Sequence, residues 1–251
     1  MKLTATARVD RVEALIGIGL SDYEIARRTG INRSTVQRWR TCGAPIPTTR
    51  PEAWRPWNRE SYSYLLGMYL GDGYIAQGSR SSVLEIALDP RYPEIVETCA
   101  EAIWESIGVR CRRYRKVTPT GEAVRVAAAS PVWPMAFPQH GPGKKHHRRI
   151  ELAPWQQDIV DLFPQQFLRG LIHSDGSRVL NRFSVDLPKS GRREYVYPRY
   201  FFTNLSDDIL LLFCATCDRL GIHWTRSSHK NISVADRHSV AYLDSFVGPK
   251  R

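Results

Sequence analysis

The sequence lacks the features that mark secreted and membrane proteins. No run approaches the ~18 apolar residues that a membrane span needs, and the N-terminus MKLTATARVD has no apolar signal core. The five cysteines are odd in number and mostly fall in apolar stripes, which indicates reduced thiols rather than a disulfide framework. We therefore expect a cytoplasmic protein with no membrane partner.

Paired zinc motifs are missing as well. Cys214 and Cys217 have CxxC spacing, but no second CxxC follows and the pair lies inside a helical pattern. A structural zinc site is therefore disfavoured.

Acidic residues are scarce relative to basic ones. The chain of 251 residues has 36 Lys and Arg against 25 Asp and Glu, a formal net charge of +11. This excess favours a polyanionic partner, because each cation placed against a phosphate can release a condensed counterion. On charge alone, a merely basic soluble protein stays an alternative. Hydrophobic residues make up 42% of the chain, which is enough for a core and excludes global disorder.

The first 45 residues predict three short helices. Residues 8–19 carry apolar side chains at helical spacing. Ser21 has the position of an N-cap for a second helix that Gly30 ends, and Asn32 opens a third helix that runs to Gly43.

The spacing of Ala26, Gly30, Val36 and Trp39 resembles the helix-turn-helix family in its homeodomain-like or resolvase-like form. A small residue lets the helices approach, a glycine makes the turn, and two apolar residues hold the third helix. A three-helix module that only packs on the rest of the protein is the alternative. The resemblance implies DNA contacts from the exposed face of the third helix, namely Asn32, Arg33, Ser34, Thr35, Gln37 and Arg38.

The rest of the chain divides into two similar halves. The stretches LLGMYLGDG (65–73) and LRGLIHSDG (168–176) each predict an apolar helix that ends in an aspartate followed by glycine. After each come two β-like runs, an amphipathic helix, two further β-like runs and a final helix. The repeat predicts an α+β fold of two pseudo-symmetric αββαββα halves behind a small all-α domain. The predicted boundaries are 1–45 for the helix-turn-helix domain, 46–60 for a proline-rich linker, and 61–151 and 152–251 for the halves.

The two halves differ in length at one place. Asp175 lies 103 positions after Asp72, whereas Leu220-Gly221-Ile222 repeats Ile107-Gly108-Val109 at an offset of 113. The first hairpin of the second half must therefore be ten residues longer, and we predict that KSGRREYVYP (189–198) supplies a loop there.

Small residues are spaced four apart in both motif helices. Gly67 and Gly71 share one helix face, as do Gly170 and Ser174, and such pairs let two helix backbones pack closely. Packing of the two helices against each other would bury their apolar side chains, in particular Leu66, Met68, Tyr69, Leu171 and Ile172.

The same packing would bring Asp72 and Asp175 together at one end of the helix pair. Two adjacent carboxylates repel each other and raise one pKa, unless a divalent cation lies between them. The pattern therefore predicts a metal site.

Residues 61–251 resemble the LAGLIDADG homing endonuclease family in its single-chain, two-motif form, through their repeat order, motif spacing and terminal acids. The resemblance implies that Asp72 and Asp175 bind Mg²⁺, with Mn²⁺ as a substitute, helped by the main-chain carbonyls of Gly71 and Ser174. It also implies two antiparallel sheets that form a saddle in the major groove of double-stranded DNA. The penultimate acid of the motif, which is not a metal ligand in the family, is replaced here by Leu70 and His173.

Each half ends in a basic loop. In the family, a lysine beyond the third helix stabilises the charged phosphate or activates water, which implies Lys144, Lys145 and Lys250 as catalytic residues. A phosphate-contacting tail is the alternative. The run HHRR (146–149) predicts DNA contact rather than metal ligation, since hard Mg²⁺ prefers oxygen.

Strand alternation predicts which sheet side chains would face DNA. Along VRCRRYRK (109–116), basic and aromatic side chains alternate with Val109 and Cys111, although Arg113 and Arg115 break the pattern and indicate an irregular strand. An ordinary charged outer sheet face is the alternative. The predicted contacts are Arg110, Arg112, Tyr114 and Lys116 in the first half and His223, Thr225, Ser227 and His229 in the second.

The leading hypothesis is a site-specific double-stranded DNA endonuclease that hydrolyses phosphodiesters with Mg²⁺. The alternative is a non-catalytic DNA-binding transcriptional regulator on the same scaffold, although such family members tend to lose the motif acids and both are present here. An RNA maturase is a third hypothesis, which the helix-turn-helix disfavours. No His-Asn pair of a splicing element ends the chain. We expect a free-standing monomer with internal pseudo-two-fold symmetry.

Overall fold

The computed structural model describes residues 5–43, 54–77, 81–118, 121–187, 191–248 and 250. The chain divides into two compact units, Met1–Arg55 and Pro56–Arg251. Most of the predicted linker lies outside the described residues, and its last two residues, Arg59 and Glu60, belong to a helix. Within these described ranges, every helix is too short or too polar to cross a membrane.

The N-terminal unit holds three helices: α1 (Ala5–Gly17), α2 (Asp22–Thr29) and α3 (Arg33–Cys42). Ser21 and Glu24 form a capping box at the start of α2, and Gly30 ends that helix in the left-handed conformation at φ +70°. Asn32 caps α3 by accepting a hydrogen bond from the Ser34 amide at 3.0 Å. The three predicted helices and their caps are therefore present. Each helix contributes one fully buried side chain to a small core: Val12, Ile25 and Val36.

The first half of the larger unit follows the predicted order αββαββα. Its strands form one antiparallel sheet in the order β1-β2-β4-β3. The elements are α4 (Arg59–Asp72), β1 (Gly73–Gln77), β2 (Ser82–Leu88), α5 (Pro93–Ile107), β3 (Arg112–Thr118), β4 (Gly121–Ser130) and α6 (Trp133–Ala136).

The second half repeats that order and adds one helix before it. Its sheet has the matching order β5-β6-β8-β7. The elements are α7 (Pro154–Leu162), α8 (Pro164–Asp175), β5 (Gly176–Leu187), β6 (Gly191–Thr203), α9 (Asp207–Arg219), β7 (Thr225–Ser228), β8 (Asn231–Val234) and α10 (Arg237–Phe246).

The prediction of a loop at 189–198 was wrong. From Gly191 onward these residues belong to β6 and pair with β5. Because β8 pairs only with Tyr200–Thr203, the nine pairs from Val179↔Arg199 to Leu187↔Gly191 form a two-stranded arm beyond the four-stranded sheet. The segment is rich in tyrosine, valine and other residues that favour strands, so the extra residues lengthen both strands.

Helices α4 and α8 pack directly against each other at the centre of the larger unit. A Cβ built on Gly67 would lie 2.5 Å from the Phe167 carbonyl oxygen, and one built on Gly170 would lie 2.2 Å from the Tyr64 carbonyl oxygen. Only glycine therefore permits this approach of the two backbones. The side chains predicted to be buried here are all at most 1% exposed: Leu66, Met68, Tyr69, Leu171 and Ile172.

A buried polar chain also ties the two motif helices together. The His173 Nε2 lies 2.6 Å from the Val247 carbonyl oxygen, which can only accept, so Nε2 carries the proton. The Tyr64 hydroxyl then donates to Nδ1 at 2.9 Å. Burial lowers the pKa of His173 to about 3, so the ring is neutral. His173 thus joins α4, α8 and the residue that follows α10.

Candidate functional site

The structure brings Asp72 and Asp175 together where α4 and α8 end. A Cβ on Gly71 would lie 2.9 Å from the Asp175 Oδ2, so that carboxylate lies against the end of the opposite helix. Burial, and next the charge of Asp175, raise the pKa of Asp72 to about 6. Burial also raises the pKa of Asp175, opposed by its hydrogen bond from Asn204. Each acid is therefore held close to a like charge in a partly dry site.

Two lysines occupy equivalent places at the C-terminal ends of these helices. The Lys145 Nζ donates to the Tyr69 carbonyl at 2.6 Å and the Gly71 carbonyl at 2.8 Å. The Lys250 Nζ donates to the carbonyls of Ile172, His173 and Ser174 at 3.0, 2.8 and 2.9 Å. Both ammonium groups thus bind the negative end of a helix dipole. Lys144, the neighbour of Lys145, is exposed instead.

The four side chains form one electrostatic cluster. Burial lowers the pKa of Lys145 to about 8, while the charges of Asp175 and Asp72 oppose that shift. Burial likewise lowers the pKa of Lys250, again opposed by both acids. Two negative and two positive groups therefore offset one another, which is how a partly buried acid pair is tolerated in the folded protein.

The donor atoms around the acids suit a hard cation. Two carboxylates and the carbonyl oxygens of Gly71 and Ser174 provide oxygen only, as Mg²⁺ prefers. Each carbonyl oxygen has a second lone pair besides the one that its lysine uses. The described ranges contain no group of three or more His, Cys, Asp or Glu side chains that could hold a metal ion. The residues therefore fit Mg²⁺ that keeps several of its waters, and they do not fit an enclosing metal cage.

A cavity of about 570 Å³ opens beside the acid pair. Its lining includes Asp175 and Asn204 from the second half and Lys145, His140 and Tyr74 from the first. The Asn204 Nδ2 donates to the Asp175 Oδ2 at 2.7 Å. The cavity is thus a polar chamber with cationic and neutral donors around one carboxylate.

Arg148 holds the loop that forms one wall of this chamber. Its guanidinium donates to the carbonyls of Gln139 at 3.2 Å, Pro142 at 3.3 Å and Gly143 at 2.8 Å. Of the HHRR run predicted to contact DNA, Arg148 therefore supports the loop, while His146 lines the chamber.

The first sheet presents a cationic face on the side away from α5. Strand β3 is regular: Arg113 pairs with Glu97 of α5 at 2.5 Å, so it lies on the helix side, and the irregularity predicted here is wrong. Arg112, Tyr114 and Lys116 lie on the opposite face. Arg110 precedes the strand, and its guanidinium lies 5.8 Å from the centre of the Trp104 ring.

In the second sheet, only two of the four predicted DNA contacts lie in a strand. Thr225 and Ser227 lie in β7, which has a register shift between Arg226 and Ser228, whereas His223 and His229 lie outside the strand. The His223 amide donates to the Ser239 hydroxyl at 2.9 Å. The short β7 therefore does not reproduce the row of side chains on β3.

The arm carries a larger cationic face than β7 does. This face was not predicted from the sequence. Arg178 donates to Asp244 of α10 at 2.7 Å, so the side chains next to it in β5 point the other way. The alternation of RVLNRFSVDL and RREYVYPRY was the signal available in the sequence. On this arm face lie Val179, Asn181, Phe183 and Val185 of β5 and Arg193, Tyr195, Tyr197 and Arg199 of β6.

Aromatic and arginine side chains on the arm face stack on one another. The Phe183 and Tyr195 rings are stacked with centres 5.1 Å apart. Arg193 lies over the Tyr195 ring at 5.3 Å, and Arg199 lies over the Tyr197 ring at 5.4 Å. Such cross-strand contacts stabilise a two-stranded ribbon that would be marginal alone. The arginine side chains of the arm face are therefore held against its aromatic rings.

In the N-terminal unit, the predicted DNA contacts of α3 are mostly exposed. Arg33, Ser34, Gln37 and Arg38 face solvent, and Thr35 is half-buried. The Asn32 side chain is exposed but its carboxamide oxygen is engaged in the cap.

Removing the Asp72 charge should stabilise the protein without metal. Because the pKa of Asp72 is higher in the folded state than in the unfolded state, ionised Asp72 lowers the free energy of unfolding. The full loss applies above about pH 6, and it disappears as the pH falls toward 3.8. Asp72→Asn should therefore raise the free energy of unfolding by on the order of 1–3 kcal/mol at pH 7.5, and by much less at pH 4.5. Urea denaturation in EDTA at both pH values measures the difference.

Asp158→Asn removes an exposed carboxylate of α7 and is the control. A gain that is equal at the two pH values would show that the Asp72 charge is not its cause.

Comparisons with known proteins gave distant structural matches. No family model matches the chain, and no curated protein matches it. Among solved structures, the N-terminal LAGLIDADG domain of DUF199/WhiA is 13% identical, with a TM-score of 0.46 over 81% of this chain and 87% of that one. The homing endonuclease I-WcaI bound to its DNA recognition sequence is 14% identical, with a TM-score of 0.48 over 78% and 84%. I-DmoI in complex with DNA and Mn is 14% identical, with a TM-score of 0.46 over 76% and 99%. At this distance, the matches carry no argument about activity.

Proposed function

We propose that this chain is a site-specific endonuclease that cuts both strands of duplex DNA with Mg²⁺. The observation that carries the proposal is the pairing of Asp72 and Asp175 at the ends of two glycine-packed helices, each end bound by a lysine. Burial and the Asp175 charge both raise the pKa of Asp72, so the acid pair lowers stability, and binding of a metal ion accounts for an arrangement with that cost.

The roles of the residues follow from their atoms. Asp72 and Asp175 would hold Mg²⁺, with the carbonyls of Gly71 and Ser174, and bound Mg²⁺ would stabilise negative charge on the scissile phosphate and lower the pKa of water. Lys145 and Lys250 bind these carbonyls and would add positive charge beside the phosphates of bound DNA.

DNA would lie across the two sheets. The first sheet exposes Arg112, Tyr114 and Lys116, and the partly exposed arm face of the second sheet carries Arg193 and Arg199. Each half therefore offers one cationic surface. The helix-turn-helix resemblance adds α3 as a further contact. The net charge of +11 supports a polyanionic partner.

A second function, a DNA-binding regulator without catalysis, has one observation in its favour. Lys145 and Lys250 already bind the carbonyls that would assist a metal, and they offset both acids. A charge-balanced cluster of this kind could simply fasten the two halves together.

One experiment separates these two functions. The full chain is incubated with a randomised duplex library in Mg²⁺ or in EDTA, and the cut ends and the retained duplexes are sequenced separately. The endonuclease predicts cut ends at one sequence in Mg²⁺ alone. Selective retention of one sequence, with no cut ends in Mg²⁺ or Mn²⁺, would establish the regulator instead.

Removal of residues 1–45 should weaken DNA binding. The larger unit keeps its own core, so the shortened chain should still fold. Its DNA affinity should depend less steeply on salt concentration. If Arg33 contacts a guanine, Arg33→Ala should cost roughly 1–3 kcal/mol on the selected sequence and less on others. Binding measured by fluorescence anisotropy at several salt concentrations checks both effects.

Arg11→Ala, an exposed change on α1, is the matched control. If Arg33→Ala weakens binding equally on every duplex, Arg33 contacts phosphate. If the shortened chain binds as well as the full chain, the N-terminal unit has no part in DNA binding.

A further inference from the structure

The strand register shows that the two acids have different neighbours. Gly73 pairs with Ile86 in the first half, and Gly176 pairs with Phe202 in the second, so these pairs are equivalent. Two residues further along the partner strand, the first half has Leu88 and the second half has Asn204. Pseudo-symmetry therefore places an apolar side chain near one acid where a carboxamide stands near the other.

This difference changes how each carboxylate is held. The Asn204 Nδ2 donates to the Asp175 Oδ2 at 2.7 Å, which fixes the orientation of that carboxylate. Leu88 is 4% exposed and has no polar side-chain atom. Throughout the described ranges, no hydrogen bond to the Asp72 carboxylate is present, and its pKa reflects burial and then the neighbouring charges. Asp175 is thus preorganised, whereas Asp72 is not.

The loops after the final helices of the two halves also differ, in their length. Seven residues separate Phe137 from Lys145, but only two separate the equivalent Val247 from Lys250. The longer loop forms a wall of the 570 Å³ chamber, and Asp175 rather than Asp72 lines that chamber.

An additional acid lies on the Asp72 side. Asp89 follows Leu88, and Arg91 binds its carboxylate through Nε at 2.9 Å and through the Nη2 at 2.5 Å. The pKa of Asp89 is lowered by Arg91 first and also by the Lys250 charge, so Asp89 lies within the electrostatic reach of that lysine. Because Arg91 neutralises Asp89, the pair adds no net positive charge that would attract a phosphate on this side.

We infer that the two sides of the acid pair act unequally, with Asn204 as a positioning residue for Asp175, and that the DNA strand in the chamber is cut first. This inference rests on the proposed function. Its physical reason is that a carboxylate held in place, with an open chamber and cationic walls, needs less reorganisation to act on a phosphodiester. The other strand meets a carboxylate that no hydrogen bond holds, on the side that does not line the chamber.

The test uses the duplex selected from the library, with a different fluorophore on each strand. In the wild type, one strand should be cut at least about tenfold faster than the other, a difference in barrier of about 1.4 kcal/mol. Asn204→Leu removes the donor and should slow the fast strand about tenfold, with little effect on the slow strand. The slow strand reports folding and DNA binding within the same sample.

Thr98→Val on α5 is the control, since its hydroxyl donates to the Glu94 carbonyl at 2.8 Å rather than to an acid. It should leave the ratio of the two strand rates unchanged. Equal strand rates in the wild type, or equal slowing of both strands by Asn204→Leu, would overturn the inference while the endonuclease stands. Absence of cutting on both strands would instead overturn the proposed function.

A second readout needs no cleavage. Titration calorimetry with Mn²⁺ alone should show two unequal binding events in the wild type, and Asn204→Leu should weaken the tighter one about tenfold. Binding that is unchanged by Asn204→Leu would show that Asn204 does not position Asp175 and would overturn the inference.

Discussion

Asp72→Asn and Asp175→Asn should each reduce double-strand cleavage by about three orders of magnitude. Each change keeps the size of the side chain but removes one negative oxygen ligand, and metal assistance to phosphate chemistry supplies several kcal/mol of transition-state stabilisation. DNA binding should survive or tighten, because a negative charge beside the phosphates is lost. Single-turnover cleavage of the selected duplex measures the first effect, and anisotropy in EDTA measures the second.

The cleavage rate and the DNA affinity of each variant are informative only when both are measured. Asp158→Asn, which changes an exposed acid of α7, should cut like the wild type. A variant that nicks one strand would mean that the two sides act independently. If both Asn variants cut both strands at the wild-type rate, the acids do not hold the metal and the proposed function is wrong.

The centre of the fold was predictable because its determinants are local. A pair of small residues at i and i+4 in a motif helix is a steric signal that can be read within about one turn. The approach of Gly170 to the Tyr64 carbonyl confirms it. The repeat also fixed the element order, since each copy supports the other. Burial of Leu66 and Leu171 followed from the same pattern.

The features that could not be predicted from the sequence depend on contacts between residues far apart in the chain. The arm was predicted as a loop because the extra ten residues showed where length is added, not whether both strands share it. Asn204 was missed because its contact with Asp175 depends on the register of β5 and β6. Lys145 could not be separated from Lys144, since only the path of the loop decides which ammonium reaches the Gly71 carbonyl.

Gly170→Ala should destabilise the larger unit by about 3 kcal/mol or more, at the upper end of the cost of overpacking. The added Cβ would lie 2.2 Å from the Tyr64 carbonyl oxygen and 3.0 Å from the Met68 nitrogen, both of which belong to the backbone of α4. Backbone cannot rotate away, so the helices must separate. The intrinsic helix preference of alanine over glycine, about 1 kcal/mol, is too small to offset this cost. Urea denaturation followed by tryptophan fluorescence measures the loss.

The matched control is Gly141→Ala, where the nearest atom to a new Cβ is the Arg148 Cδ at 3.5 Å, an ordinary contact. It should change the free energy of unfolding by less than about 1 kcal/mol. Separation of the helices in Gly170→Ala should also move Asp72 away from Asp175, so any folded protein should cut DNA poorly at temperatures where it still binds. A Gly170→Ala protein with wild-type stability and cleavage would show that α4 and α8 do not pack through this glycine, and the acid pair would lose its structural basis.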